Sequence, residues 1–277
     1  MKPVDKALWF IESHFHDAIS LDDVARNGGV SRFHLSRAFS AATDHSVIGY
    51  LRGRRLTEAA KALADGAPDI LALAIEAGYG SHEAFTRAFR DHFGLTPEEV
   101  RARRSLEDLK CVEPIRMDTI KTIKLSEPRF ADTPPRLFAG LNGKFSTGNV
   151  AGIPALWQRF NAYWGAIPHS VPGAGYGICH THDDAGNFDY LAGVEVSDFD
   201  ELPPELHRLR IPAQRYAVFA HDGHVSDIRS VCHTIWNEWL PTSGLKAADT
   251  PMQERYHARF DPQSGMGGFE IWLPVQE

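Results

Sequence analysis

Residues 81–89 read SHEAFTRAF, and residues 31–39 read SRFHLSRAF. Both satisfy Ser-x-x-x-apolar-(Ser/Thr)-Arg-Ala-Phe at a distance of fifty positions. Each copy follows a glycine-containing break, Gly28-Gly29 or Gly78-Tyr79-Gly80, and its leading serine is a residue type that caps the free N–H groups of a new helix. Leu35 with Phe39, and Phe85 with Phe89, sit four apart and so share one helical face, which must be the core face. Arg32, Phe33, Ser36 and Arg37 in the first copy, and His82, Glu83, Thr86 and Arg87 in the second, are left to face outward near the helix N-terminus. These are residue types that bond base edges and phosphates.

Outward from the two copies, the chain from Val4 to about Arg104 reads as short helices. Val4, Leu8, Ile11 and Phe15 fall at helical spacing, and Ser20 caps a helix over Leu21–Asn27. A longer helix is expected from about Val47 to Ala64, with Ile48, Leu51, Ala59 and Leu63 inward, ended by Gly66-Ala67-Pro68. Another follows over Ile70–Ala77. A helix, a glycine-containing turn and a capped second helix make a helix-turn-helix, whose second helix can enter the DNA major groove. Two copies joined by one helix suit successive major-groove segments about 34 Å apart.

After about Leu109 the period changes. Ile115 and Met117, then Ile123 and Leu125, have strand-like spacing, and Phe188, Tyr190, Ala192, Val194 and Val196 alternate with their neighbours. Two helical patterns, Ile153/Leu156/Trp157/Phe160/Trp164 and Ile228/Cys232/Ile235/Trp236/Trp239, each follow a strand-like run, Arg136–Gly143 and Arg215–Gly223. The interval suggests a duplicated strand–helix–strand–strand unit forming a sheet with two helices on one face. The fold class expected is therefore multi-domain: an all-α double helix-turn-helix (homeodomain-like) domain over residues 1–107, then an α+β domain with an antiparallel sheet and two helices over 112–277. Arg104–Pro114 is the junction.

Composition limits the partners. Net charge is −7; the first 107 residues hold 14 Lys+Arg against 15 Asp+Glu, and the remainder 15 against 21. Any nucleic-acid surface must then be a local patch. No apolar run approaches the roughly 18 residues a membrane span needs, and MKPVDKALWF lacks a signal-peptide plan, so no membrane partner and a cytoplasmic location are expected. Cys111, Cys179 and Cys232 are odd in number and far apart, which argues for reduced, mostly buried thiols and against a disulfide framework or Cys-x-x-Cys metal site.

Residues 5–105 resemble the DNA-binding domain of AraC/XylS-type transcription regulators. The second unit carries this in Ala74-x-x-x-Gly78-Tyr79-Gly80-Ser81, Phe85-Thr86-Arg87-Ala88-Phe89-Arg90, Gly94-Leu95-Thr96-Pro97 and Arg101. The first does so in Leu21, Val24-Ala25, Ser31, Leu35-Ser36-Arg37, Phe39, Tyr50-Leu51, Arg55 and Ala59. The resemblance implies contact with promoter DNA by Phe33, Ser36, Arg37, His82, Glu83, Thr86 and Arg87, with Arg32 beside them, and RNA polymerase as a further partner. Two positions depart from the family pattern: Asp44 replaces the usual glycine, in a left-handed conformation aspartate tolerates, and Val100 replaces a frequent aromatic. Glu83 either accepts from cytosine N4 or stays solvated. With two outward arginines against one beside a glutamate, the first helix is expected to hold DNA more tightly than the second.

Residues 112–277 resemble the GyrI-like (SHS2-type) small-molecule-binding domain, through Pro154-Ala155-Leu156-Trp157, Ala192-Gly193-Val194-Glu195-Val196, Trp239-Leu240-Pro241-x-Ser243-Gly244-Leu245, Glu254-x-Tyr256 and Glu270-Ile271-Trp272-Leu273-Pro274. Alternation puts Met252, Glu254 and Tyr256 on one face, Glu195 with Leu191 and Gly193, and Glu270 with Trp272. A buried carboxylate needs a cationic or hydrogen-bonding partner, which a cationic lipophilic effector or an arginine can supply. The candidate effector residues are Trp164, Tyr176, Glu195, Trp236, Glu254 and Tyr256. Alternatives are a hydrolase with Glu195 as general base and Tyr256 as its helper, or a partner-binding module without a ligand.

Other signals carry less. His180-Thr181-His182-Asp183-Asp184 has metal-compatible residues but reads as a solvated loop between strands, and His221-Asp222-Gly223-His224 as a strand end and turn. Gly140-x-x-Gly143-Lys144-Phe145-Ser146 lacks the spacing of a phosphate loop. No cofactor, catalytic triad motif or metal site is expected, and coupling between the halves is expected to cross Arg104–Pro114.

Overall fold

The capping serines set the helix starts. In the computed structural model, which describes residues 2–115, 122–147, 149–262 and 264–277, the N-terminal part holds α1 (Pro3–His14), α2 (Leu21–Gly28), α3 (Arg32–Thr43), α4 (Val47–Ala64), α5 (Ile70–Glu76), α6 (His82–Phe93) and α7 (Pro97–Arg103). Ser20, Ser31, Ser46, Asp69, Ser81 and Thr96 each accept a backbone N–H from the first turn of the helix they precede, satisfying donors that have no partner within the helix. Asp44 closes α3 at φ 60°, the left-handed conformation expected of it, and Gly94 closes α6 at φ 75°.

Two cores flank α4. Val4, Leu8, Ile11, Val24, Leu35, Phe39 and Tyr50 pack on one side; Leu56, Leu63, Ile70, Ala74, Phe85, Phe89 and Val100 pack on the other. Phe39, Phe85, Phe89 and Val100 are fully buried, and each phenylalanine contributes about 1.5–3 kcal/mol relative to an exposed ring. After α7 the chain returns along α4. Val112 N–H donates to Thr57 Oγ1 (2.9 Å), its carbonyl accepts from Arg54 Nη1 (3.0 Å), and Ile115 N–H donates to Tyr50 Oη (3.2 Å).

The second part is an antiparallel sheet with helices. Its strands are β1 (Arg129–Thr133), β2 (Arg136–Ser146), β3 (Ala174–His180), β4 (Asn187–Val196), β5 (His207–Ile211), β6 (Gln214–His221), β7 (Lys246–Ala247), β8 (Met252–His257) and β9 (Phe269–Gln276). Among the described residues the order is β1-β6-β9-β8-β3-β4-β2-β5, with β7 on β9. The duplication expected from sequence is visible in that order: β2-β4-β3 and β8-β9-β6 are the same arrangement reversed, meeting where β3 pairs with β8. Helix α8 (Ile153–Phe160) follows β2, and α9 (Ile228–Thr234) follows β6 and continues through a π-helical turn, Ile235–Trp239, to Leu240–Thr242.

The sheet curls. Arg136 on β2 donates to Gln253 on β8 at 3.0 Å, although β4 and β3 lie between them, a separation of about 14 Å in a flat sheet. The face inside the curl is thus filled by its own side chains, and the opposite face takes α8, α9 and the N-terminal helices.

One strand expectation needs correction. Ile123 and Leu125 lie outside any strand and pack against the core formed by the N-terminal helices and α9. Ile123 N–H donates to Thr234 Oγ1 (3.1 Å), so the apolar alternation there records packing against helices rather than sheet pairing. Met117 lies outside the described residues.

Candidate functional site

The two repeated helices are placed in opposite circumstances. On α6, the core rings Phe85 and Phe89 point inward, while Glu83 and Arg87 are exposed. His82 Nε2 lies 3.2 Å from Glu98 Oε1, and the Thr86 hydroxyl is tucked against the helix with no partner among the described residues. Hydrogen bonds at the helix start hold the Glu83 carboxyl below its ordinary range. Among the described residues, no hydrogen bond or ion pair ties the α6 side chains to the sheet domain.

On α3, three of the four matching positions contact that domain. Arg32 pairs with Asp184 (2.5 Å) and Asp22 (3.4 Å). The Phe33 ring meets Trp236 edge-on, with centroids 6.1 Å apart. Arg37 Nη2 lies 3.2 Å from His182 Nδ1 and its guanidinium sits 5.4 Å over the Phe33 ring. Further along, Ser40 Oγ approaches Thr147 Oγ1 at 3.4 Å, Ser46 Oγ donates to the Ala185 carbonyl at 2.9 Å, and Asp44 pairs with Arg229. Asn237, exposed to α3 by the π-helical turn, donates to the Ala38 carbonyl at 3.2 Å.

An apolar seam underlies these polar contacts. Leu35 and Phe39 of α3 belong to one continuous core with Val231, Ile235, Trp236 and Leu240. Exposed ion pairs such as Arg32–Asp184 contribute about 0–1 kcal/mol, so the burial of aromatic and aliphatic surface holds the two parts together. The Asp183–Gly186 loop, expected to be merely solvated, is therefore corrected to a docking loop. Although His182 as a whole stays exposed, desolvation of its ring in the contact and the charge of Arg37 lower the imidazole pKa.

The second constellation centres on Glu254 in β8. Tyr190 Oη donates to Glu254 Oε2 at 2.6 Å and Tyr256 Oη donates to the same oxygen at 2.9 Å. Trp157 Nε1 donates to Tyr190 Oη at 3.0 Å, and the Trp157 and Tyr256 rings meet edge-on at 5.2 Å. Gly177 makes room for this group: a methyl there would lie 2.0 Å from Tyr190 Oη and 2.5 Å from Glu254 Oε2. Gly175 likewise admits the Trp164 and Trp157 indoles over the strand. Among the described residues Glu254 joins no ion pair. Burial raises its pKa, with the two tyrosine hydroxyls opposing that rise.

Register decides which other predicted residues can join it, because residues directly opposite in an antiparallel pair point to the same face. Glu254 opposes Gly177, and Gly177 opposes Ala192; Tyr176 opposes Arg255 and Gly193. Tyr176 and Glu195 therefore lie on the other side of the sheet from Glu254 and Tyr256. There Glu195 is bound by Arg136 through Nε (3.0 Å) and Nη2 (2.6 Å), and Glu270 by Arg129 and Arg255. The pairing of Glu195 with Tyr256 as base and helper is not formed. Trp164 stands half exposed at the rim over Gly175, and Trp236 is buried against α3.

Sequence reasoning missed Tyr190 and Trp157 as neighbours of Glu254. The available signal was a glycine inside a strand, Gly177, which marks a close approach. A separate open groove of about 800 Å³, lined by Asn142, Arg159, Tyr163, Glu205 and His207 among others, does not include Glu254.

Comparison with known proteins places these two parts. A family model described as the GyrI-like small molecule binding domain matches residues 126–276, and one described as a helix-turn-helix domain matches residues 24–103. The transcriptional regulator Rob of Salmonella typhimurium is 26% identical over 269 residues, covering 94% of this chain and 92% of that one. The multiple antibiotic resistance protein MarA of Escherichia coli is 31% identical over 112 residues, 40% of this chain and 88% of that protein. The solved structure of SAV2435 bound to tetraphenylphosphonium overlaps 55% of this chain and 94% of its own at 18% identity and a TM-score of 0.46.

Proposed function

We propose, from the premise that this chain belongs to the GyrI-like small molecule binding domain family, that its effector is a cationic, largely apolar molecule held at Glu254. The chain is a helix-turn-helix transcription regulator of AraC/XylS type with a small-molecule-binding domain after the DNA-binding domain. The division proposed is residues 1–107 for DNA and 112–277 for the effector.

One observation carries the reading: Glu254 is a carboxylate in an aromatic setting that has hydroxyl donors but, among the described residues, no ion-pair partner. Two tyrosine hydroxyls orient it, and a positive ligand would supply the missing charge. The faces of Trp157, Tyr190 and Tyr256 would add cation–π attraction of about 0.5–2 kcal/mol each. In this reading the domain binds without catalysing, and the regulator works in the cytoplasm with promoter DNA and RNA polymerase as partners. DNA contact is proposed for Arg32, Phe33, Ser36 and Arg37 on α3 and His82, Glu83, Thr86 and Arg87 on α6.

Two ions of one shape and opposite charge test the site. Tetraphenylphosphonium should quench tryptophan fluorescence and bind with about tenfold weaker affinity in Glu254→Gln, a change of ~1.4 kcal/mol. Tetraphenylborate should bind far more weakly than the cation. Equal binding of the two ions, or an unaltered affinity in Glu254→Gln, sinks the proposal.

A further inference from the structure

The α3 positions that would enter DNA and the Glu254 site are neighbours in the fold. Arg37 reaches the helix-covered face of the sheet at Cys179, whose thiol also senses the charge of Glu254; Cys232 on α9 senses both as well. Cys179 and Gly177 are two residues apart on β3, hence on one face and about 7 Å apart. Glu254 lies over Gly177. Arg37 and Glu254 thus both act on Cys179 from the helix-covered side of the sheet, and among the described residues no ion pair joins them.

We infer that α3 is shut against the sensor, with Arg37 as a tethered cation facing the effector site, and that a cationic effector at Glu254 releases the helix for DNA. The inference rests on the reading of Glu254 as a cation site. In the shut state every outward α3 side chain that reads as a DNA contact, apart from Ser36, has a partner in the sensor: Asp184 for Arg32, Trp236 for Phe33 and His182 for Arg37. The major groove cannot accept a helix whose outer face is already engaged by protein contacts. DNA and sensor are therefore alternative partners for one surface.

The shut state is poised to open. Arg37 Nε is buried with no partner among the described residues, so its desolvation is incompletely offset. A cation at Glu254 would place a like charge on the sheet face that Arg37 approaches, with ~8 Å between unit charges taken as an order-of-magnitude separation. At an effective dielectric of about 20 this disfavours the shut state by roughly thirtyfold. Linkage requires the reverse effect too: specific DNA should tighten effector binding by the same factor.

A disulfide lock separates closure from effector chemistry. Ser40 and Thr147 hydroxyls lie 3.4 Å apart across the contact, so a Ser40→Cys/Thr147→Cys variant of the full chain should form a cross-link on oxidation. Its affinity for a duplex selected from a random-sequence pool would be measured oxidised and after reduction, with Ser40→Cys alone as the control for oxidation of native thiols. The oxidised double variant should lose at least tenfold in affinity and recover on reduction; oxidised and reduced forms that bind alike overturn the closure. In the unmodified chain, saturating tetraphenylphosphonium should raise affinity for the same duplex roughly ten- to thirtyfold. If tryptophan quenching shows the cation bound while DNA affinity stays constant, the release is overturned and the Glu254 site stands. If the cation does not bind at all, the reading of Glu254 fails and the release falls with it, whereas the lock result still decides the closure.

Discussion

Helices α3 and α6 are built from one nine-residue pattern, yet one is shut and the other open. Both start from a capping serine and both bury two apolar residues four apart. The difference lies in what their outer faces meet: α3 lies against Trp236, Asn237 and the Asp183–Gly186 loop, and α6 faces solvent. The pair teaches that a helix's chemistry and its availability are separate properties. The first is written in the helix, and the second in whatever packs on it.

The largest effects should come from breaking the cores under the two helices. Phe39→Ala and Phe85→Ala each remove a fully buried ring, at a cost of about 3–5 kcal/mol. Phe39 belongs to the core continuous with α9 and the sheet, whereas Phe85 belongs to the core confined to α4–α7. Hydrogen exchange should therefore show loss of protection spreading across both domains in Phe39→Ala, but confined to α5–α7 in Phe85→Ala. Identical exchange patterns in the two variants would mean that the two helical units unfold as one, and the contrast drawn from the cores would be lost.

Next in size are the two arginines at the same place in the repeat. Arg87→Ala should weaken specific DNA binding by about 1–3 kcal/mol if it reads a guanine edge, by the same amount with or without a cationic effector. Arg37→Ala removes both the proposed DNA contact and the proposed tether of the shut state, two effects of opposite sign. Its loss measured without effector should be smaller than its loss with tetraphenylphosphonium present. Footprints left unchanged by both substitutions would remove α3 and α6 from the major groove; equal losses under both conditions for Arg37→Ala would break the contrast between the helices.

The parts of the molecule readable from sequence are those fixed by near neighbours. Ser20, Ser31 and Ser81 announce their helices because a cap acts within three residues, and the Val47–Ala64 bounds follow from the glycine and proline punctuation around them. The alternation of Phe188 to Val196 gave β4, and the spacing of two strand–helix patterns gave the duplicated sheet. Glu254 and Tyr256 were legible as a pair on one face of one strand. Tyr190 and Trp157 were not, because joining them to Glu254 requires β3 to pair with both β4 and β8. For the same reason Tyr176 and Glu195 were grouped with Glu254: parity within a strand is local, but parity between strands depends on register. Arg37 hid its role most completely, since an arginine that docks on a protein has the same neighbours in sequence as one that grips a phosphate.

The smallest effect separates the helices by pH. His182 faces Arg37, His180 and Asp183, and desolvation of its ring in the contact and the Arg37 charge depress its pKa while α3 is shut. A base with a depressed pKa stabilises the state that depresses it above the ordinary imidazole value, about 6.5, and that stabilisation is lost as pH falls below it. Acid should therefore favour release of α3 by a few-fold between pH 7.5 and 5.5, the ring's partial exposure keeping the effect below the roughly tenfold limit of one free imidazole. Glu254, whose pKa is raised by burial, is a second titratable group on the face that Arg37 approaches. The measurement is thus made in a Glu254→Gln background, comparing DNA affinity across this range with and without His182→Asn. A pH response that survives His182→Asn would place the sensitivity on α6 or the DNA contact itself rather than on the closure of α3.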